Sequence, residues 1–231
     1  MQGLWTALAV TALALVAPHA SAKPAAKAQI DWTRRVAATP QGGYVMGNPR
    51  ARLHLVEYGS LTCNHCANFE RDGAGPLMAY VRSGKLRFEF RNWVRDPLDV
   101  AAGLAARCGG ARRVFAINHR LFATQSEWLG RVSDDDYERA EALDQAGQMK
   151  SLAHVSGIDT IAINAGVPSA KLAQCLSNRA EAEKLTAIRN SPQGLAVEGT
   201  PTFFLNGVEV IPTEMNRWPR IEAAIKVKLA R

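Results

Sequence analysis

Apolar and polar positions alternate from Arg52 to Tyr58 in "RLHLVEY", and several of the residues are branched, which predicts a strand. "KLRFEFRNWV" predicts a second strand, with Leu86, Phe88 and Phe90 on one face and Arg87, Glu89 and Arg91 on the other. "GGYVMGN", ahead of both, reads as a short strand. Between the two clear strands, Phe69, Leu77, Tyr80 and Val81 fall near a 3.6-residue repeat and predict a helix. Gly73 and Gly75-Pro76 are expected to kink it.

From Pro97 to about Asn190 the period changes and no strand pattern is present. Val100, Leu104 and Cys108 recur every four residues, and Val114, Ile117, Leu121 and Phe122 follow helical spacing as well. Ser133 precedes three aspartates, the signature of a capped helix start with an acidic first turn. Ser169 is read as the cap of a helix carrying Leu172, Cys175 and Leu176. Strand character returns in "TPTFFLNGVEVI": Phe203 to Leu205, an Asn206-Gly207 turn suited to positive φ, then Val208 to Ile211. Ile221, Ala224, Ile225 and Leu229 mark a last amphipathic helix. No internal repeat is visible.

The first 22 of the 231 residues carry no charged side chain, and the 14-residue stretch Leu4–Ala17 is apolar apart from two threonines. It is short of the roughly 20 residues a membrane-spanning helix needs, and it ends in Ala20-Ser21-Ala22, a small-x-small cleavage pattern. Residues 1–22 are therefore expected to be a signal peptide, with an uncleaved membrane anchor as the alternative. Residues 23–42 read as a flexible Ala/Lys/Pro-rich leader. The net charge of +7 is spread out and forms no basic stripe with interleaved aromatics, so nucleic-acid binding is not expected.

Export changes the meaning of the four cysteines, Cys63, Cys66, Cys108 and Cys175, because an oxidising compartment permits disulfides. "CNHC" puts Cys63 and Cys66 two residues apart. Structural zinc needs four ligands, usually from two close pairs, and only one close pair exists. Haem attachment needs a histidine directly after the second cysteine, where Ala67 stands; His65 lies inside the pair. A four-residue disulfide ring constrains little of the unfolded chain, so a purely structural bridge has little to offer. A redox centre fits best. At a helix start, unpaired N–H groups and the helix dipole favour a Cys63 thiolate, and Cys66 can attack a mixed disulfide formed there. Glu57, in the strand just before, is a candidate for proton exchange with Cys66, or else an outward-facing strand residue. Thr200-Pro201 opens a strand, one of the few places a sheet accepts proline.

Strand, "CNHC" helix, strand, helical block, "GTPTFFLNG" hairpin and helix together resemble the DsbA-like branch of the thioredoxin superfamily, over essentially all of the chain from about Gly43. The resemblance implies an α/β thioredoxin fold in two parts, residues 43–96 and 192–231, with an all-helical domain inserted at 97–191. It implies Cys63 as an exposed nucleophile, Cys66 as the resolving thiol, His65 as the tuning residue between them and Glu57 as a buried acid. It also implies a cis Pro201 against Cys63, with Thr200 pairing with substrate backbone. Asn64 departs from the proline commonest at that position, which bears on redox poise and not on reaction type. Cys108 and Cys175, both on apolar helix faces of the insertion, are expected to form a structural disulfide; a relay pair exchanging with Cys63–Cys66, or two buried thiols, are the alternatives.

The expected activity is that of an exported oxidase donating the Cys63–Cys66 disulfide to client proteins with free thiols. A DsbB-type membrane partner would reoxidise it, and neither cofactor nor metal is needed. A reductase of the same fold, serving for example cytochrome c maturation, and a non-redox peptide-binding or holdase module are the alternatives. An isomerase is expected to carry an N-terminal dimerisation domain, for which the leader is too short.

Overall fold

The computed structural model describes residues 30–210 and 217–231; the expected signal peptide, and Ile211 at the end of the expected hairpin, lie outside them. A 3-10 turn, Trp32–Arg34, leads into strands β1 (Val36–Ala38), β2 (Tyr44–Gly47) and β3 (Leu53–Gly59). Helix α1 (Asn64–Arg82) and strand β4 (Leu86–Asn92) follow. Then come α2 (Pro97–Cys108), α3 (Val114–Ala123), α4 (Gln125–Leu129), α5 (Asp134–Glu141) and α6 (Gln145–Ser156). After them run α7 (Ile158–Asn164), α8 (Ser169–Leu176), α9 (Arg179–Arg189) and α10 (Pro192–Leu195). The chain closes with β5 (Thr202–Leu205), β6 (Val208–Val210) and α11 (Arg217–Leu229).

Among the described residues the strands form one sheet in the order β1-β2-β4-β3-β5-β6. β3 and β4 are parallel, joined through α1, with Leu55 opposite Phe88 and Glu57 opposite Phe90. β5 runs antiparallel to β3, placing Thr202 opposite Tyr58, so the hairpin lies beside the strand that precedes the two cysteines. Asn206 and Gly207 take φ of 52° and 79°, the conformation a two-residue turn requires and that an asparagine and a glycine tolerate. The leader is not loose to its end: Val36–Ala38 pairs with β2, although no local apolar pattern marks it.

α1 runs as one helix through Gly73 and Pro76. Gly73 has a packing reason: a Cβ there would lie 2.7 Å from the Phe69 ring, which packs on Phe203 with centroids 4.5 Å apart. Ile221 and Ile225 of α11 are buried, and α11 packs on α1 and β3.

The helical block is organised around α2, which packs against α3, α6, α7, α8 and α9. Its alanines and Gly103 are buried nearly all round, as expected of a helix inside a bundle and not on its surface. Ser133 caps α5 reciprocally with Asp136. Ser169 does not cap α8: Pro168 holds that position and Ser169 is the first helical residue, with no side-chain cap bond. Cys108 and Cys175 are joined in a disulfide that ties α2 to α8. One buried apolar cluster continues from the sheet into this block and includes Cys63 and Cys66.

Candidate active site

The loop Ser60-Leu61-Thr62 follows β3, and Cys63 sits at the N-cap of α1 with extended backbone. No acidic residue occupies the first turn of α1, so nothing there opposes the helix N-terminus in favouring negative charge at Cys63. Cys63 and Cys66 are both free thiols. The Thr200–Pro201 peptide is cis and lies across from them; the Cys63 thiol donates to the Thr200 carbonyl at 3.2 Å.

Contrary to the expectation of an exposed nucleophile, Cys63 is only 2 % exposed. When Cys63 is protonated its thiol lies on the Thr200 carbonyl; the thiolate and the disulfide have no proton to give it. Cys66 is completely buried, and the Ser60 N–H donates to its Sγ at 3.5 Å.

The two thiols differ sharply in acidity. The Cys66 thiol, against the opposing effect of burial, brings Cys63 from its ordinary 9.0 down to about 5, with help from the Thr200 side chain and the N–H groups of Cys66 and His65. Burial, the bond to Cys63 and the Glu57 charge push Cys66 well above its ordinary value, and the Ser60 N–H only partly offsets this. His65 therefore acts on Cys63 at least through its backbone, and its carbonyl accepts from Arg217 Nη1 at 3.2 Å.

Glu57 is not the outward-facing strand residue weighed as one possibility; it is 3 % exposed. Burial, the Glu70 carboxylate and Cys63 push its carboxyl well above the usual range, outweighing the Arg217 guanidinium. Glu70 itself bonds His119 Nδ1 at 2.8 Å. A protonated acid beside a buried thiol can give that thiol its proton or take it away.

Sequence reasoning missed the residues that hold the loop. Leu61 N–H donates to Asp99 at 2.8 Å, and Thr62 Oγ1 donates to Asp96 at 2.8 Å. Arg95 Nη2 donates to the Thr62 carbonyl at 3.0 Å. Gln125 Nε2 donates to the carbonyls of Leu61 at 2.7 Å and Cys63 at 3.0 Å. Asp99, an acid set in the apolar run "LDVAA", was the one local signal.

The family model described as Thioredoxin matches residues 39–226. The chain belongs to the thioredoxin family. Its fold is the DsbA-like variant, with the helical insertion. It is 31 % identical to the protein-disulfide isomerase of Novosphingobium aromaticivorans, with a TM-score of 0.71 over 80 % of this chain and 97 % of that one. Wolbachia pipientis alpha-DsbA1 shares the fold at 20 % identity, with a TM-score of 0.60 over 80 % of this chain and 93 % of its own. A Rickettsia felis protein assigned as a protein-disulfide oxidoreductase is 29 % identical over 171 residues, 71 % of this chain. The match spans about half of that relative, 53 % of its length.

Proposed function

We propose that this thioredoxin-family chain is an exported thiol–disulfide oxidoreductase that works as an oxidase, donating the Cys63–Cys66 disulfide to client proteins. The observation that carries the reading is the split in acidity within one CxxC pair, with Cys63 at about 5 and Cys66 well above its ordinary value. Each unit by which the fold favours the Cys63 thiolate is about 1.4 kcal/mol, or about 30 mV on a two-electron couple. Stabilising the reduced pair makes the disulfide a stronger oxidant.

In this reading a client thiolate attacks Cys63 Sγ of the oxidised pair. The Cys63–Cys66 bond breaks, and Cys66 departs with the electron pair. A thiolate at that buried position is costly, and protonated Glu57 supplies the proton. A second client thiolate then attacks the client sulfur of the mixed disulfide and expels Cys63, a good leaving group because its thiolate is held. The client loses two electrons and the sulfur pair gains them, so no cofactor or metal is required. Thr200 and the cis Pro201 form the surface on which client backbone docks.

Residues 1–22 would be the export signal and 23–42 the leader, with the fold divided at 43–96, 97–191 and 192–231. The compartment would be the periplasm, and a DsbB-type membrane protein would restore the disulfide. The Cys108–Cys175 bridge is structural in this scheme.

The test is equilibration with glutathione, reading the Cys63–Cys66 pair by alkylation and mass while Cys108–Cys175 stays intact. A potential well above roughly −270 mV, the thioredoxin range, is the expected result; one near or below it would replace the oxidase by a reductase. The name of the Novosphingobium relative favours a second reading, an isomerase. Faster reactivation of a scrambled client than oxidation of a reduced one would select it. Client binding undiminished in Cys63→Ser, with no exchange by the parent, would instead leave a holdase.

A further inference from the structure

The loop that carries the nucleophile is held mainly from the helical insertion. Within the core, the Cys63 N–H reaches the Ser60 carbonyl at 3.2 Å. The N–H and carbonyl of Leu61, the carbonyl of Thr62 and the carbonyl of Cys63 are bonded by Asp99, Gln125 and the Arg95 guanidinium just ahead of α2. Asp99 is the most deeply placed of these, with no exposure at all.

Its position does not follow from helix capping. Asp96 already caps α2, accepting the Asp99 N–H at 2.8 Å. The Asp99 carboxylate points the other way: Oδ1 accepts Leu61 N–H at 2.8 Å and Oδ2 accepts Arg95 N–H at 3.1 Å. Leu61 follows Ser60 directly, so the Asp99–Leu61 bond fixes the peptide next to the Ser60 N–H. Ser60 Oγ in turn accepts the Thr62 N–H at 3.2 Å, and the Ser60 N–H lies on Cys66 Sγ. Cys66 is the largest influence holding Cys63 as thiolate. A chain of contacts therefore runs from Asp99 through Leu61 and the adjoining Ser60 N–H to Cys66, the partner of Cys63. Burying a carboxyl this completely is costly, and burial with Asp96 nearby raises it to about 7 despite its donors. A neutral side chain would serve a cap at less cost.

We propose that Asp99 is a positioning residue of the redox centre, holding Ser60 so that its N–H stays on Cys66 and Cys66 stays on Cys63, an inference that rests on the oxidoreductase reading above. The helical insertion then sets the acidity of the nucleophile as well as covering the sheet.

Asp99→Ala and Asp99→Asn in the full chain test this, with folding checked by denaturant and two further readings taken. These are the ultraviolet titration of the Cys63 thiolate and the equilibrium with glutathione. Asp99→Ala is expected to raise the Cys63 titration by about one unit and to shift the equilibrium about tenfold towards the oxidised protein, about 30 mV. Asp99→Asn keeps one acceptor and should move both readings the same way by less. Lost stability with both readings unmoved would make Asp99 a cap only and overturn the proposal. If Asp99→Ala does not fold, Asp99→Asn decides by the same readings. If neither folds, Asp99→Glu, which keeps the carboxylate but displaces it by one methylene, decides by the same readings. A parent that exchanges normally beside unmoved variants sinks the Asp99 role alone, whereas a parent that never exchanges sinks the oxidoreductase reading.

Discussion

Two buried glutamates stand on adjacent strands of the sheet and have opposite fates. Glu57 on β3 is 3 % exposed and Glu89 on β4 is 1 % exposed, so surface exposure does not separate them. Company does. Glu89 accepts from Thr39 Oγ1 at 2.7 Å and from Arg91 Nε at 2.7 Å, and it pairs with His54 Nε2 at 2.9 Å. Arg91 also donates to the Tyr58 hydroxyl at 2.7 Å and lies over its ring. Burial works against ionisation there too, but these donors bring Glu89 down to about 2. Glu57 has no such donors: burial pushes it up first, the Glu70 carboxylate and Cys63 add to this, and only the Arg217 guanidinium opposes them. A buried acid with a full set of donors is structure; one set among other acids is available for proton transfer.

The largest effect that would break this contrast is on stability. Glu89→Ala leaves Arg91 buried without its partner and is expected to cost about 3–5 kcal/mol in denaturant unfolding. The Cys63 titration per folded molecule should stay where it is. A stable Glu89→Ala protein would mean that the two glutamates do not differ as described. The pH dependence has a definite sign. The folded Glu89 carboxyl, at about 2, lies below its ordinary 4.5, so its contribution is complete above about pH 4.5 and is lost as the pH falls towards 2. Glu89→Ala should flatten acid unfolding in that window.

Glu57 has the opposite sign: its folded value is raised, so it weighs against the fold once the pH passes its ordinary 4.5. Glu57→Gln is expected to hold or raise stability at neutral pH while slowing client exchange at least about tenfold, about 1.4 kcal/mol in barrier. Stopped-flow exchange across pH reads this, and an unchanged profile would remove Glu57 from the proton path. The smallest effect sharpens the same contrast. Thr39→Ala removes one of the donors on Glu89 and should cost about 1 kcal/mol, with exchange unaffected.

The strands, the hairpin turn and the helix starts were legible because each depends on neighbours within a few residues. Alternation in "KLRFEFRNWV" located β4, yet it implied a solvent side for Glu89 and Arg91. Period two reports that two faces differ, not that both are covered, and the polar face is buried here because its charges satisfy one another. Val36–Ala38 carries no strand signal of its own because its strand exists only through pairing with β2. Ser169 has the residue type of a cap, but Pro168 takes that position and Ser169 becomes the first residue of α8. Asp99 showed itself only as an acid in an apolar run, since its partner Leu61 lies 38 residues earlier.

By itself the sequence determined the order of elements, the placing of Cys63 and Cys66 at a helix start, the positive-φ turn and the family resemblance. All of these are matters of short-range spacing and side-chain type. Only the tertiary structure decided that Glu89 is ringed by donors while Glu57 is not, that Cys63 is covered, and that the insertion grips the loop from 38 positions away. Acidity depends on desolvation and on donors within a few ångströms, and packing brings those together from segments far apart in the chain.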